Sequence, residues 1–596
     1  LIERRILISR EEIKRRYSPK TVLCYELSPQ FQIEQNLNLL IEELELNKRN
    51  TKQIASVMEF LQHKMEHGVF QPVQKAHLLL KGVSSSALIT LEKKGVLKSE
   101  RFQIDRINTK TKESNTFKTL SSAQNKALSE LNESMNVNNV SLLHGVTGSG
   151  KTEIYVQIIQ DYLDRGHQVL FLLPEIALTT QLIQRLSAYF GEKIGVYHSK
   201  FNQNERIEIW NKVLGNDPNE FRIILGARSS IFLPFQSLGL IIVDEEHEGS
   251  FKQYDPSPRY NARDASIVLA QMHNAKVILG TATPSMESYY NALNGKFGLV
   301  ELNERYKGLK LPEVVCSDIK RERKLKNMTS HFSNFLLEEI EQVLQKGEQV
   351  ILFQNRRGYT PLWSCEICNW TPKCNNCDVS LTYHKFANHL KCHYCSFTTN
   401  PVGSCPSCGS NRLNMIGFGT EKIEDELGLI FKEKVIKRLD LDTTRAKNAY
   451  EEILNDFDNR LIDILIGTQM VTKGLDFDNV YLVGILDADM LMNRPDFRAY
   501  ERSYQLMSQV SGRAGRLKKQ GKVIIQTGNP DHWLIHLVAQ HDYKGFYNNE
   551  IIERENYNYP PFYKLISLTV KHKNINMVEV ASKELAISLR DVFKER

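Results

Sequence analysis

Residues 145–152 have the types and spacing of a phosphate-binding loop. Their sequence, GVTGSGKT, fits G-x-x-x-x-G-K-[ST], and glycines at these positions let backbone N–H groups turn inward around phosphate oxygens. We expect Lys151 to reach the β- and γ-phosphates of ATP and the Thr152 hydroxyl to bind Mg²⁺. A glycine-rich turn with a surface lysine is the alternative, and the candidate strand before the loop and the amphipathic helix after it disfavour it. The predicted nucleotide contacts in the loop are Gly145, Thr147, Gly148, Ser149, Gly150, Lys151 and Thr152.

An acidic cluster, Asp244-Glu245-Glu246-His247, follows the apolar run LGLIIV. The carboxyl ends of buried parallel strands form the ligand-binding edge of α/β sheets, so the acids are expected at that edge. We predict that Asp244 holds Mg²⁺, directly or through water, and that Glu245 orients the attacking water in phosphoryl transfer. An acidic strand end taken alone is typical of a solvated turn, but the phosphate-binding loop upstream favours the functional interpretation.

The segment QVSGRAGR places polar residues on one helical face, because Gln509, Gly512, Arg513 and Arg516 are spaced i, i+3, i+4 and i+7. Arginines presented together suit the charge that develops on a γ-phosphate. Arg513 and Arg516 are therefore predicted to act as arginine fingers in cis. For an isolated G-R-x-G-R a solvated basic face is the favoured interpretation, but the order of the motifs along the chain argues for a catalytic one.

Eight of the ten cysteines fall between residues 365 and 408, always as C-x-x-C pairs. Two such pairs complete a tetrahedral four-thiolate Zn²⁺ site, so the segment predicts two structural zinc ions, with consecutive and nested pairing both open. Such crowding in an otherwise cysteine-poor chain disfavours disulfides and indicates a reducing, cytoplasmic compartment. The predicted zinc ligands are Cys365, Cys368, Cys374, Cys377, Cys392, Cys395, Cys405 and Cys408.

The cysteine-rich segment is too short for a large core, so metal binding should supply its folding free energy. We hypothesise that its aromatic and basic residues line a strand-separating or partner-docking surface, because ATP hydrolysis alone does not need so elaborate an insertion. Cys24 and Cys316 stand singly and are interpreted as ordinary residues. The hypothesised surface consists of Trp363, Trp370, Tyr383, His384, Lys385 and Tyr394.

Residues 248–264, EGSFKQYDPSPRYNARD, follow the acidic cluster and mix aromatic with basic side chains. Bases stack on aromatic faces while cations track phosphates, so this loop suits single-stranded DNA and is placed to report DNA occupancy to the acids. The alternative is a surface loop whose aromatic rings pack on the lobe. The predicted DNA contacts are Phe251, Lys252, Tyr254, Arg259, Tyr260 and Arg263.

The elements that must position these motifs are short apolar runs separated by amphipathic helices. That alternation predicts parallel sheets covered by helices on both faces. It occurs twice and indicates two α/β lobes, the second interrupted by the cysteine-rich segment. The predicted strands are 140–144, 168–174, 221–227, 238–246 and 275–284 in the first lobe, and 349–354, 435–440, 462–467, 480–487 and 522–527 in the second.

Residues 31–112 have helical periodicity that changes to an alternating pattern after Gly95. Three helices and a short hairpin predict a winged-helix domain that docks on DNA, and a small helical packing domain fits the pattern equally well. The polar, charged residues 105–118 indicate a linker.

The chain has 596 residues and a formal net charge of +7, which neither establishes nor opposes a polyanionic partner. No apolar run approaches the roughly 20 residues that a membrane span needs. No signal or transit pattern follows Leu1, and the lack of an initiating methionine is typical of a fragment.

The order of GSGKT, DEEH, LGTATPS, GTQMVTKGLDF and QVSGRAGR resembles that of superfamily 2 helicases. The cysteine-rich insertion, together with GVTGSGKTE, LLPEIALT, ILFQNRRGY and YPPF, is similar to the PriA family of bacterial replication-restart helicases, from about residue 31 to 570. The resemblance implies RecA-like lobes that close over ATP, and it favours nested zinc pairing with Cys365, Cys368, Cys405 and Cys408 on one ion. It also implies roles for further residues: Gln124 in adenine recognition, Thr281 and Thr283 in coupling hydrolysis to lobe movement, Thr468, Gln469 and Lys473 near DNA or the lobe interface, and Gly474, Asp476 and Gln509 on the nucleotide side.

The implied function is an ATP- and Mg²⁺-dependent 3′→5′ DNA helicase that restarts replication at stalled forks and D-loops and assembles the primosome. A duplex DNA translocase and a fork-binding scaffold that recruits the replicative helicase are the alternatives. The implied partners are branched and single-stranded DNA, single-stranded-DNA-binding protein and helicase-loading proteins, and we expect a monomer in the bacterial cytoplasm, associated with the nucleoid.

The expected fold is α/β multidomain, with these divisions: 1–30, a remnant of a preceding domain or a linker; 31–112, winged helix; 113–310, first lobe; 311–360 and 412–550, second lobe; 361–411, two-zinc insertion; 551–596, the start of a C-terminal α/β domain. The resemblance also implies a preceding domain that captures a nascent 3′ end, and residues 1–30 are too short to contain it.

Overall fold

A computed structural model gives the structure of the chain. It describes residues 20–103, 117–174, 180–198, 201–308, 310–354, 363–365, 367–368, 370–376, 379–384, 389–392, 397–415, 420–440, 443–444, 449–471, 477–515 and 520–593. The chain divides into two compact units. The first contains residues 1–114, 190–224 and 232–236, and the second contains 115–189, 225–231 and 237–596.

The N-terminal domain of the first unit is a winged helix. Its core forms where the apolar faces of the helices meet a small sheet, and it includes Leu40, Phe60 and Leu91. The strand order in the sheet is β2-β1-β3, and both pairings are antiparallel. The elements are β1 (Thr21–Leu27), α1 (Glu34–Glu45), α2 (Thr51–His67), β2 (Val73–Gln74), α3 (Lys75–Leu80), α4 (Ser85–Lys93) and β3 (Leu97–Gln103).

The predicted start of this domain at residue 31 is wrong, and within the described residues the predicted hairpin is not formed. The alternating segment after Gly95 forms the single strand β3, whose partner β1 lies before the first helix, with Leu27 opposite Leu97. The sequence of a strand does not show how far away its partner lies. A strand paired with a segment some 70 residues earlier therefore has the same pattern as one arm of a hairpin. The segment assigned to a preceding domain or linker therefore contributes a core strand.

Residues 122–302 alternate between helices and strands. A capping box begins the first helix: Ser121 accepts from the Gln124 backbone N–H, and the Gln124 side chain accepts from the Ser121 N–H. The elements are α5 (Ser122–Val137), β4 (Val140–Gly145), α6 (Lys151–Asp164), β5 (Gln168–Leu172), α7 (Thr180–Phe190), β6 (Ile194–Tyr197), α8 (Gln203–Gly215), β7 (Ile223–Gly226), β8 (Leu238–Asp244), α9 (Ala262–His273), β9 (Lys276–Thr281), α10 (Met286–Leu293) and β10 (Gly298–Leu302).

In the second unit, five of these strands form a parallel sheet in the order β10-β4-β9-β8-β5. The central strands are apolar and buried along almost their whole length, as expected for a parallel sheet covered on both faces. The strand β9 lies between β4 and β8. The phosphate-binding loop, Thr281 and Asp244 therefore emerge side by side at one edge of the sheet. We call this sheet with its helices the first lobe.

A second parallel sheet, with the order β11-β23-β22-β14-β21-β20, forms the second lobe. Its core is built from buried aliphatic residues such as Leu336, Leu352 and Ile466. The elements outside the insertion are β11 (Glu313–Asp318), α11 (Ile319–Lys324), β12 (Met328–Thr329), β13 (Phe332–Ser333), α12 (Asn334–Gln345), β14 (Gln349–Phe353), α13 (Thr420–Ile430), β20 (Ile436–Leu439), α14 (Ala449–Asp458), β21 (Ile464–Gly467), β22 (Val480–Ile485), α15 (Ala488–Met492), α16 (Ala499–Ser511) and β23 (Lys522–Thr527).

The cysteine-rich insertion leaves the second lobe after β14 and returns before α13. Two short strands, β15 (Trp363–Cys365) and β19 (Leu413–Met415), pair antiparallel at its base. Beyond them, β16 (Thr382–His384), β17 (His389–Lys391) and β18 (Thr398–Thr399) form a three-stranded sheet. The insertion has two small clusters of buried residues, each containing cysteines.

The chain ends in three helices, α17 (Trp533–Ala539), α18 (Tyr543–Asn556) and α19 (Ile575–Phe593). The helix α18 is partly buried through Phe546 and Arg554, whereas α19 has no buried residue. The α/β domain expected from residue 551 was given a start inside α18, which continues to Asn556. Beyond that helix, the described residues form a connecting segment and α19. Among the described helices, none is both long and apolar enough to cross a membrane.

Candidate ATP-binding site and zinc centre

The phosphate-binding loop connects β4 to α6 at the carboxyl edge of the first sheet. Gly148 and Gly150 have positive φ angles of 77° and 82°, which side chains disfavour. The Lys151 ammonium donates to the Gly145 carbonyl at 2.7 Å, and the buried Ser149 hydroxyl has no hydrogen-bond partner in the described part of the chain. A glycine cradle with a lysine and an orphan hydroxyl fits a polyphosphate, so the loop is suited to hold ATP.

Gln124, expected to recognise adenine, lies against the phosphate-binding loop. Its Nε2 donates to the Ser149 carbonyl at 3.0 Å, and a Cβ on Gly150 would collide with the same nitrogen. Its Oε1 accepts from the Ser121 N–H, and the side chain is buried. The structure therefore places Gln124 as a clamp on the loop, and its adenine contact stays a prediction.

Asp244 ends β8 beside the phosphate-binding loop. Its Oδ1 accepts from the hydroxyl of Tyr155, a buried residue of α6, at 3.0 Å. Burial and the neighbouring Glu245 raise the pKa of Asp244 to about 7. A divalent cation would offset the repulsion between the neighbouring carboxylates of Asp244 and Glu245, so the pair suits a metal site. Asp244 and Thr152 are the residues that would hold Mg²⁺, which would neutralise charge on the β- and γ-phosphates.

A hydrogen-bonded chain joins the acidic cluster to the second lobe. Gln509 Nε2 lies 3.3 Å from Glu245 Oε2 and 2.8 Å from His247 Nε2. If Gln509 donates to both, His247 is the neutral Nδ1–H tautomer, which matches its 2.7 Å contact with Thr281 Oγ1. The edges of the two lobes therefore meet at the proposed hydrolytic carboxylate.

The helix α16 also approaches the phosphate-binding loop. A Cβ on Gly512 would lie 2.5 Å from Thr147 Cγ2, so only glycine permits this approach. Arg513, the next residue, is buried at the seam. On the other side of the loop, Arg305 of the segment between the lobes donates through Nε to the Thr147 carbonyl at 3.1 Å.

Several predicted site residues are outside the described part of the chain, so their roles stay predictions. Thr468 is buried after β21, Gln469 begins a short 3₁₀ helix, and Thr283 is buried beside Thr281. The predicted residues that lie outside the described ranges are Lys473, Gly474, Asp476, Arg516, Cys377, Cys395, Lys385 and Tyr394.

The loop predicted to contact DNA divides into exposed and buried residues. Tyr254 is 64 % exposed and Arg259 is also exposed, whereas Lys252 and Tyr260 are half-buried. Phe251 is 1 % exposed, so its ring cannot offer a stacking face and its predicted DNA contact is wrong.

Arg263 is likewise removed from the predicted DNA contacts. It forms an ion pair with the fully buried Glu246 at 2.9 Å and hydrogen-bonds Ser285 at 2.7 Å. A sequence that mixes aromatic and basic residues does not show which of them face solvent and which face the core. Here Phe251 and Arg263 are directed into the protein.

The outer cysteines of the insertion converge. The sulfurs of Cys365, Cys368, Cys405 and Cys408 all lie within 4.8 Å of one another, with Cys365–Cys408 at 3.6 Å and Cys368–Cys405 at 3.4 Å. Tetrahedral Zn²⁺ with bonds of about 2.3 Å requires sulfurs about 3.8 Å apart. This is the nested arrangement. Cys374 and Cys392 of the inner set are both buried in the second cluster of the insertion.

Sequence reasoning missed several polar residues of the site. Tyr155 occupies a helical core position and gave no signal. Arg305 lies in the segment NERYKG, which matches no motif. Glu246 was grouped with its acidic neighbours, although its carboxylate points away from the nucleotide edge to Ser285 and Ser288.

Two parallel-sheet lobes that meet over a phosphate-binding loop define a two-lobed P-loop helicase, and the family models agree. The type III restriction enzyme res subunit model matches residues 117–286, and the helicase conserved C-terminal domain matches 412–518. The PriA DNA helicase Cys-rich region domain matches 374–399, and the winged helix domain of PriA helicase, Bacteroidota, matches 22–104.

Curated relatives narrow the class to one family. Replication restart protein PriA of Bacillus subtilis is 42% identical over 550 residues, covering 91% of this chain and 67% of the relative. The Chlamydia pneumoniae protein of that name is 39% identical, covering 88% and 71%. That of Synechocystis is 41% identical, covering 85% and 62%. The chain belongs to the PriA family, with a winged helix, two helicase lobes and a cysteine-rich zinc region.

Proposed function

We propose that this chain is an ATP-driven DNA helicase that restarts replication at stalled forks and D-loops, moving 3′→5′ on single-stranded DNA. The observation that carries the proposal is the contact of Gln509 with Glu245 and His247, which joins the two lobes at the carboxylate end of β8. A nucleotide held there would touch both lobes, so its hydrolysis would change how they meet. Family membership supports DNA as the substrate.

The proposed chemical roles are supported by the motifs and by the positions of those residues that the structure describes. Lys151 and the backbone of the phosphate-binding loop bind the phosphates, and Asp244 with Thr152 holds Mg²⁺. Glu245 orients the attacking water, and Arg513, with Arg516, offsets the charge that develops on the γ-phosphate. A Zn²⁺ held by the four sulfurs of the outer site would have no open coordination position, so it would stabilise the insertion and take no part in hydrolysis.

DNA contacts are proposed for the exposed side of the loop after the acidic cluster. Tyr254 supplies a stacking face, and Lys252 and Arg259 supply charge for phosphates. The loop is anchored through Tyr260, whose hydroxyl donates to the Arg228 carbonyl at 3.3 Å. Single-stranded-DNA-binding protein and helicase-loading proteins are the proposed partners in primosome assembly, and the chain is proposed to act as a monomer.

The test is ATP turnover and strand displacement on a forked oligonucleotide by the parent chain and by Lys151→Ala. We expect Lys151→Ala to lose hydrolysis and unwinding while it keeps most of its fork binding. Turnover at the parental rate would show that the site is misassigned. Triplex displacement without strand separation would favour a duplex translocase, and helicase loading that survives Lys151→Ala would favour a scaffold.

A further inference from the structure

Glu246 holds the start of α10 within the first lobe. Its side chain is fully buried. Its Oε1 accepts from the Ser285 backbone N–H at 2.7 Å, and its Oε2 accepts from the Ser288 hydroxyl at 2.8 Å and from Arg263 at 2.9 Å. The acidic cluster after β8 is therefore connected directly to the first turn of α10.

The next backbone N–H of the same turn binds the second lobe. Met286 N donates to Oε1 of Glu501, a residue of α16, at 2.9 Å. The first N–H groups of a helix lack partners within the helix and carry partial positive charge, so carboxylates are favoured there. Glu246 and Glu501, one from each lobe, thus accept consecutive N–H groups of one helix start.

Glu501 is itself held by arginines. Its Oε2 accepts from Arg554 at 2.8 Å and from Arg498 at 2.9 Å, and the Glu501 side chain is only 3 % exposed. Arg498 also pairs with Glu287 of the first lobe at 3.1 Å. Buried ions persist only when they are paired and hydrogen-bonded, so these contacts stabilise one relative position of α10 and α16.

We propose that Glu501 is a positioning residue that sets α16, and with it Gln509 and Arg513, against the ATP site. We call Glu246, Met286, Arg498, Glu501 and Arg554 the interlobe clasp. An α-helix rises about 1.5 Å per residue, so Gln509 lies about 12 Å along the same rigid helix from Glu501. The clasp holds the Glu501 end of α16 against the first lobe. Because the helix is rigid, this also positions Gln509, at the other end, beside Glu245. This inference rests on the proposed ATP hydrolysis.

The test is Glu501→Gln, with Glu550→Gln as the matched control. Glu550 is as buried as Glu501 and pairs with the same Arg554 at 2.9 Å, but this pair joins two residues of α18 and does not reach the first lobe. We expect Glu501→Gln to lower the kcat of ATP hydrolysis by about ten- to a hundred-fold, the loss that a misplacement on the order of 1 Å produces, while KM for ATP changes little. Glu550→Gln should lower the melting temperature and leave kcat close to the parental value. Equal kcat losses in the two variants would overturn the proposal.

A second measurement decides the question if Glu501→Gln does not fold. Glu287→Gln and Arg498→Gln remove a less buried cross-lobe pair, singly and together. Arg498→Gln removes the contacts of Arg498 with both Glu287 and Glu501. We therefore expect the double variant to be little slower than Arg498→Gln alone, because the Glu287 pair is already lost there. Losses that multiply would overturn the clasp. Activity of the parent chain and its absence in Lys151→Ala test the ATPase assignment separately, so failure of the clasp leaves that assignment standing.

Discussion

Gly512 of the second lobe lies against Thr147 of the phosphate-binding loop with no room for a side chain between them. The φ angle of Gly512 is −62°, which any residue adopts, so space alone requires glycine here. The seam between the lobes therefore tolerates no added atom at the point where ATP is proposed to bind.

The added methyl group of Gly512→Ala should therefore keep the second lobe away from Thr147 of the phosphate-binding loop. We expect kcat for ATP hydrolysis to fall by roughly ten-fold or more while nucleotide binding to the first lobe persists. Steady-state turnover and binding of a fluorescent nucleotide would separate the two effects. Gly428→Ala in α13 is the control, since no atom within 4 Å obstructs a Cβ there. Unchanged turnover in Gly512→Ala would mean that the lobes do not close in this way.

Tyr155→Phe should weaken Mg²⁺ binding by removing the hydrogen bond that orients Asp244. Loss of such a supporting contact costs about ten-fold or more in metal affinity. We expect a higher Mg²⁺ concentration for half-maximal binding of fluorescent nucleotide and for half-maximal turnover. Tyr162→Phe, on the same helix but packed beside Arg165 and His167, should match the parent chain. An unaltered Mg²⁺ dependence in Tyr155→Phe would argue against a role for its hydroxyl.

Zinc content should report the two cysteine sites independently of activity. We expect about two zinc ions per chain and about one in Cys368→Ser, because a four-thiolate site is lost with one ligand. Cys316→Ser should retain both, as Cys316 belongs to β11 and lies outside the pairs. Elemental analysis of the purified variants makes the measurement. A single zinc in the parent chain would contradict the inner site.

The stability of the second lobe should depend on pH through Asp487. Burial and the nearby Asp489 raise the pKa of Asp487 to about 7, against about 3.9 in an unfolded chain. The folded chain therefore retains a proton that the unfolded chain releases, and stability declines as pH rises between these two values. Asp487→Asn keeps an oxygen for the Met490 N–H and removes the charge.

We expect Asp487→Asn to raise the free energy of unfolding at pH 8, by up to about 4 kcal/mol, with the gain vanishing towards pH 4. Thermal or denaturant unfolding across that range checks the sign. Asp458→Asn, an exposed carboxylate at the end of α14, is the control. A gain confined to low pH would refute the assignment.

The sequence predicted the central strands because each is a continuous apolar run that ends in turn residues. It missed β10 and β11, which contain acidic residues and are less completely buried than the central strands, as at Glu301 and Glu313. Both are edge strands of their sheets, so one side of each lacks a partner strand and the apolar signal weakens.

Motifs with fixed spacing were recovered more fully than contacts between distant residues. Lys151 and Asp244 are recognisable from their neighbours in the sequence. The pairing of Glu501 with Met286 joins residues 215 positions apart, and nothing in their local sequence marks it. The burial of Phe251 and Arg263 was likewise decided by tertiary packing, which a loop's composition does not reveal.

The pairing of β15 with β19 puts the entrance and exit of the zinc-binding insertion on neighbouring backbones, with Trp363 opposite Met415. Opposed residues of antiparallel strands are only about 5 Å apart, a gap that a tight turn spans. The insertion therefore enters and leaves the second lobe at one place, although it also contacts α16 where Lys373 donates to the Tyr500 hydroxyl at 2.7 Å. Exchanging the insertion between homologues would show which properties of the protein depend on the insertion and which depend on the two lobes.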